Sequence, residues 1–279
     1  MAMGKTISGQ WWELYRSTRL NQVVEQAIAN NPSLTEARAT LAQARQAILQ
    51  AQGAYYPQFD VNASAQRQRT SGLGGGSPAT SNLYSVGAMV SYNFDFFGGT
   101  RRQVEQEAAL ADYQYYQLAA AYLTLTGNAV TQAINIASIS QQIITVQNII
   151  ADDEKNLKLV RLKFKGGKAA RSDVLTAESQ LANDRVALPP LRQQLRVAEH
   201  ALLIATGKFP GSGTAPEFDL GELSLPVELP LIIPSQLVHQ RPDILAAEAQ
   251  LHAKSAAIGV AASQIIQASR YPLRLAVNP

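Results

Sequence analysis

The 279-residue chain is 46% hydrophobic and 16% charged, has no cysteine, and sets 24 basic against 21 acidic residues for a net charge of +3. That length can bury a sizeable core. The missing cysteines exclude disulfide frameworks, thiolate zinc sites and thiol catalysis, and no basic run suits a nucleic-acid groove, so no nucleic-acid partner is expected. No apolar stretch approaches the ~20 residues of a transmembrane helix. Met1–Thr6 lacks the apolar run of a signal peptide, so either the protein stays where it is made or a leader has been removed.

Residues 1–19 form an N-terminal segment without a clear pattern, and residues 20–55 predict the first helix. Within it a copy of a repeat opens with Pro32 in its first turn and has its seam at Leu34, Ala37, Leu41, Ala44, Ile48, Ala51 and Tyr55. The pattern returns 210 residues later as Ile244, Ala247, Leu251, Lys254, Ile258, Ala261 and Ile265 behind Pro242. Agreement at matched register marks an internal repeat, whose second copy starts in residues 234–279.

Between the copies the period changes from 3.5 to 2, which predicts a β-hairpin over 56–97 with a Gly-rich loop at 70–82. Phe59, Val61, Ala63 and Ala65 alternate with Gln58, Asp60, Asn62 and Ser64; Tyr84, Val86, Ala88, Val90, Tyr92, Phe94 and Phe96 alternate with Ser85, Gly87, Met89, Ser91, Asn93 and Asp95. Strands of this length cross a bilayer when tilted, at about 9–11 residues each. The aromatic residues gather toward the stripe ends, as interfacial girdles do. A hairpin packed on a soluble core is the other reading. Two strands in lipid would leave edge groups unpaired, so a membrane role demands further hairpins from a repeat or an oligomer.

Residues 98–207 predict a long antiparallel helical hairpin. Its first seam runs Leu118, Tyr122, Leu125, Ala129, Gln132, Ile136, Ile139, Ile143, Val146, Ile150, Asp153, Leu157, Val160 and Phe164. The second runs Val174, Ala177, Leu181, Asp184, Leu188, Leu191, Leu195, Ala198, Leu202 and Ala205. Such heptads argue a coiled coil over a globular bundle. Gly166-Gly167 turns the chain at the tip, Pro189-Pro190 predicts a kink in the second arm, and residues 208–233 read as a linker. The first arm, from Thr100, would measure about 100 Å. The shorter helices, at about 60 and 50 Å, equal it when placed end to end. The fold class is mainly α with a β-hairpin, with long antiparallel coiled-coil helices fit for a tubular wall.

No catalytic or cofactor constellation emerges. His200, His239 and His252 lack metal-ligand spacing, and the pair Glu248/His252 reads as a surface contact. Gly72, Gly74, Gly75 and Gly76 lack the Lys-Ser/Thr of a phosphate loop and read as a flexible loop. No enzyme activity, cofactor or metal is expected.

The chain resembles the TolC-like outer-membrane efflux proteins of the OprM type. The likeness lies in Tyr92-Asn93-Phe94-Asp95-Phe96-Phe97-Gly98, in Ala121–Leu125, in Phe164, Gly167, Ala170, Asp173, Val174 and Ala177 at the tip, and in Pro234–Ile244 at the second repeat. It covers about Trp11 to Ser263. The resemblance implies a homotrimer, in which each protomer gives four strands to a 12-stranded outer-membrane barrel and its helices form a periplasmic α-barrel. The implied function is a passive exit duct of a tripartite drug or solute efflux or secretion system, working with a periplasmic adaptor (membrane fusion) protein and an inner-membrane pump. Implied lipid-facing residues are Phe59, Val61, Tyr84, Val86, Val90, Tyr92 and Phe94; implied pore-facing ones are Gln58, Asp60, Asn62, Ser85, Ser91, Asn93 and Asp95. The tip Lys165, Gly166, Gly167, Lys168, Ala169, Ala170, Arg171 and Asp173 is the implied adaptor-docking surface. Relatives commonly start with a lipid-carrying cysteine, absent here, and continue through a second strand pair and helical hairpin, so the chain is read as truncated within its second repeat. The alternative is a soluble coiled-coil scaffold or a periplasmic adaptor, but adaptors flank their hairpin with β-rich domains.

Overall fold

The structure, a computed structural model, describes residues 9–70, 79–224 and 240–268. Its helices are α1 (Thr18–Asn30), α2 (Pro32–Gly53), α3 (Gly99–Lys165), α4 (Arg171–Ala205) and α5 (Pro242–Ala268); its strands are β1 (Gln58–Thr70) and β2 (Ala79–Ser91). Two compact units form, one from residues 1–39 and 116–244, the other from residues 40–115 and 245–279. No described helix is long and apolar enough to cross a membrane.

The first unit is built on the α3–α4 seam. Leu125, Ala129, Ile136, Leu157, Leu181, Ala198 and Leu202 are buried, and the other seam residues are half-buried except the exposed Phe164. The N-terminal segment, patternless in sequence, completes this core. A 3-10 turn, Trp11–Tyr15, ends at Arg16 in the left-handed region (φ 51°), and the Ser17 hydroxyl then accepts from Leu20 N to start α1. Trp12 packs its ring 6.2 Å from Tyr122 and joins Leu20, Val24, Leu34 and Phe218 in one cluster. Each large apolar side chain removed from water in this way stabilises the fold by about 1.5–3 kcal/mol.

The single helix expected over 20–55 is two. Pro32 disfavours helical backbone at Asn31, which sits at φ −70°, ψ 125°. Asn31 then fastens the junction: its Nδ2 donates to Ala205 O at 2.9 Å, and its Oδ1 accepts from Ser33 N at 2.9 Å and Ser33 Oγ at 2.5 Å. The helix α4 runs through Pro189-Pro190, where a kink is expected, as one element from Arg171 to Ala205. Both prolines lie on the exposed side beside exposed Arg185 and Val186, where solvent can take the place of the missing donors.

In the second unit β1 and β2 pair antiparallel from Gln58↔Ser91 to Thr70↔Ala79. Residues 79–82, expected in the loop, are therefore strand: ladder bonds come from the backbone and do not need the apolar alternation that ends at Tyr84. Residues 71–78, with the glycine-rich turn, lie outside the described residues, as do Pro234–His239 of the repeat motif. The start of α3 packs closely on α5, since a Cβ on Gly99 would meet Ser263 Oγ at 2.5 Å.

Candidate functional site

The strand pair sorts its side chains by face. Phe59 faces Val90, Val61 faces Ala88, Ala63 faces Val86 and Ala65 faces Tyr84, so one surface is continuously apolar. It is open: Phe59 is 74%, Val61 78% and Val86 82% exposed. Gln58, Asp60, Asn62 and Ser64 meet Ser91, Met89, Gly87 and Ser85 on the other face. There Ser64 Oγ and Ser85 Oγ lie 2.8 Å apart, and Asn62 Oδ1 fills the space above Gly87, 2.8 Å from where a Cβ would stand. Both outer edges of the two-stranded sheet lack a partner strand among the described residues. An apolar face and two free edges on one element call for cover by an apolar surface and by further strands.

Tyr92, Asn93, Phe94 and Asp95, expected in the second strand, lie beyond it. β2 stops at Ser91 because the next residue across the ladder is Pro57, which has no N–H to give. Instead this segment links strand to helix. Tyr92 and Phe94 meet edge-to-face at 4.7 Å and Phe94 stacks on Phe96 at 5.7 Å, with the three rings exposed. Gly98 turns at φ 73°, and the Asp95 carboxylate accepts from Arg101 N at 3.1 Å in the first turn of α3.

The helical tip is closed by two complementary caps. Lys168 N donates to Lys163 O at 2.8 Å and Gly167 N to Phe164 O at 3.0 Å, with Gly167 at φ 70°; this ends α3 with a left-handed glycine. Asp173 then accepts from Ala170 N at 2.9 Å and opens α4. Lys165, Gly166, Gly167, Lys168, Ala170, Arg171 and Asp173 are exposed and Ala169 is half-buried. Next to the tip, Arg161–Glu178 (2.7 Å) and Arg185–Glu154 (2.5 Å) bridge the arms over buried Leu157 and Leu181. A groove of about 550 Å³ follows, with Lys158 and Lys165 on its rim and exposed Leu162 beside them.

His252 does not pair with Glu248, as sequence spacing suggested; its Nε2 lies 3.0 Å from Glu105 on α3. No group of three or more potential metal ligands occurs among the described residues. Trp12 is a core residue that no periodicity marks; its signal in the sequence is the cluster of large side chains Trp11, Trp12, Leu14 and Tyr15.

The sequence model of the outer membrane efflux protein family matches residues 23–208. The chain belongs to that family. It is 30% identical over 261 residues to the pyoverdine export outer membrane protein OpmQ of Pseudomonas aeruginosa, covering 90% of this chain and 54% of the relative. The cation efflux system protein CusC of Escherichia coli K12 is 25% identical over 256 residues, covering 90% of this chain and 54% of its own length. Among solved structures, the outer-membrane channel OprN superposes with a TM-score of 0.81 at 26% identity, over 94% of this chain and 60% of that one. The chain thus spans about half the length of these curated relatives. As a family member it places its strand pair and its tip on a fold whose solved examples include outer-membrane channels.

Proposed function

We propose that this chain supplies wall elements to an outer-membrane exit duct: a passive, non-enzymatic conduit of a tripartite efflux or secretion system. The observation that carries the reading is the strand pair, whose apolar face lies open while its edges have no partner strand among the described residues. Such a ribbon is stable in lipid only inside a closed barrel, and a homotrimer with repeated strand pairs supplies one. The apolar residues Phe59, Val61, Tyr84, Val86 and Val90 face lipid, while Gln58, Asp60, Asn62, Ser85 and Ser91 line the water-filled interior. Tyr92 and Phe94 belong to the aromatic belt where strand gives way to helix, and Asn93 and Asp95 to the pore mouth. Residues 98–207 extend into the periplasm. The tip Lys165–Asp173 receives the adaptor, which links the duct to an inner-membrane pump. Relatives named for pyoverdine export and for cation efflux match over similar spans, which supports assigning the choice of cargo to the pump.

Charge on the strands tests this. Lysine on a lipid face costs about 2–4 kcal/mol near the bilayer midplane and less toward the aromatic belt, so the loss should be larger at Val86 than at Val90. V86K and V90K should therefore lose heat-sensitive oligomers in outer-membrane fractions, whereas S85K on the opposite face should keep them. Equal assembly of all three proteins would defeat the reading.

A further inference from the structure

Each apolar seam of the helical hairpin is interrupted near the tip by an aspartate, Asp153 on α3 and Asp184 on α4. The cross-arm bridges Arg161–Glu178 and Arg185–Glu154 fix the register of the arms and place these two carboxyls opposite each other, one layer from buried Leu157 and Leu181. Asp153 Oδ2 is buried and receives no hydrogen bond from a donor; the group beside it is the Asp184 carboxyl. Gln180 Nε2 donates to Asp184 Oδ2 at 2.8 Å. The charged neighbours are otherwise committed: on α3, Asp152 holds Lys155 at 2.9 Å, and Glu154 is bound by Arg185 of α4.

A buried carboxylate oxygen facing a second carboxylate lacks a donor, and one proton held between the two supplies it. We propose that Asp153 and Asp184 share a single proton across the α3–α4 seam, so that the pairing of the two arms beside the tip depends on pH. The directions of titration agree. The hydrogen bond with Asp184, then burial, then the charges of Asp184 and Asp152 push Asp153 above the ordinary carboxylate range. Hydrogen bonds from Asp153 and then Gln180 hold Asp184 below it. Between these two values the pair carries one proton and one charge, and the seam is closed. A raised folded-state value means stability present at lower pH and lost as pH rises through it. Above it two charges face each other among leucines, and the arms loosen. This claim stands apart from the duct reading, because it concerns the folded hairpin and not its insertion.

The experiment follows the thermal unfolding of the whole chain from pH 4.5 to pH 8, in the parent protein and in D153N. The amide imitates the protonated member of the pair. The expected result is a melting temperature that falls with rising pH in the parent, with that component missing from D153N, so that the difference between the curves is a one-proton step. A second measurement uses chain labelled with ¹³C at aspartate carboxyls: one resonance should titrate above the ordinary range in the parent and vanish in D153N. Should D153N fail to fold, the parent spectrum alone decides. Parallel melting curves, or no aspartate titrating above the ordinary range, overturn the proposal.

Discussion

At the junction of α1, α2 and α4 the outcome rests on single residues. Gly207 adopts φ 75°, and a Cβ there would lie 2.4 Å from Asn30 O. Left-handed backbone costs an L-residue about 1–2 kcal/mol before any collision, so Gly207→Ala should lower the unfolding free energy by about 2 kcal/mol or more, read by denaturant titration. Asn31 works in the same place through three hydrogen bonds. Asn31→Ala leaves the Ala205 carbonyl and the Ser33 amide without their partner, a loss of about 1–2 kcal/mol in the same assay. The helix stop at Gly207 was legible in the sequence, but its approach to Asn30 and the bonds made by Asn31 were not. A glycine and an asparagine far apart in the chain show no periodicity, and only the meeting of α4 with the α1–α2 junction gives them their work.

The elements themselves were easier to read. The heptad spacing located both arms of the hairpin because their seams bury side chains against each other for most of their length, and burial imposes the period. A substitution series separates seam from surface. Leu202 is fully buried, and Leu202→Ala should destabilise the chain by about 2–5 kcal/mol. Leu162 is 59% exposed, and Leu162→Ala should change stability by less than about 0.5 kcal/mol. Circular dichroism melts of both variants check the contrast. Period 2 placed the strand faces equally well, since Phe59, Val61, Ala63 and Ala65 meet Val90, Ala88, Val86 and Tyr84 as alternation requires. What failed was the ends. Alternation continues from Tyr92 to Phe96, yet the ladder ends at Gln58↔Ser91, where Pro57 precedes the partner strand, a fact visible only once the register is known. The interruptions Asp153 and Asp184 read as defects in two separate patterns until the turn at Gly167 set them face to face.

At the scale of the whole molecule, the internal repeat foretold α5 but not what α5 touches. Sequence spacing on α5 alone offered Glu248 to His252, because only neighbours on one helix can be judged without a fold. The structure gives His252 to Glu105, 147 positions earlier, where Arg102 also binds the same carboxylate at 2.6 Å. The hydrogen bond from His252, followed by that from Arg102, holds the Glu105 carboxyl below its ordinary value. A lowered folded-state value stabilises above the ordinary glutamate range and loses that contribution as pH falls through it. Acid should therefore release the His252–Glu105 contact between α3 and α5; in R102Q the release should begin at higher pH, and in H252A the contact is gone at every pH. In a carboxyl NMR titration Glu105 should move upward toward the ordinary glutamate value in H252A, and again in R102Q. R102Q should lose part of the protection of the α5 amides from hydrogen exchange at a higher pH than the parent, whereas H252A should lack that part at every pH. A Glu105 midpoint unmoved by either substitution would show that the contact does not hold α5 against α3.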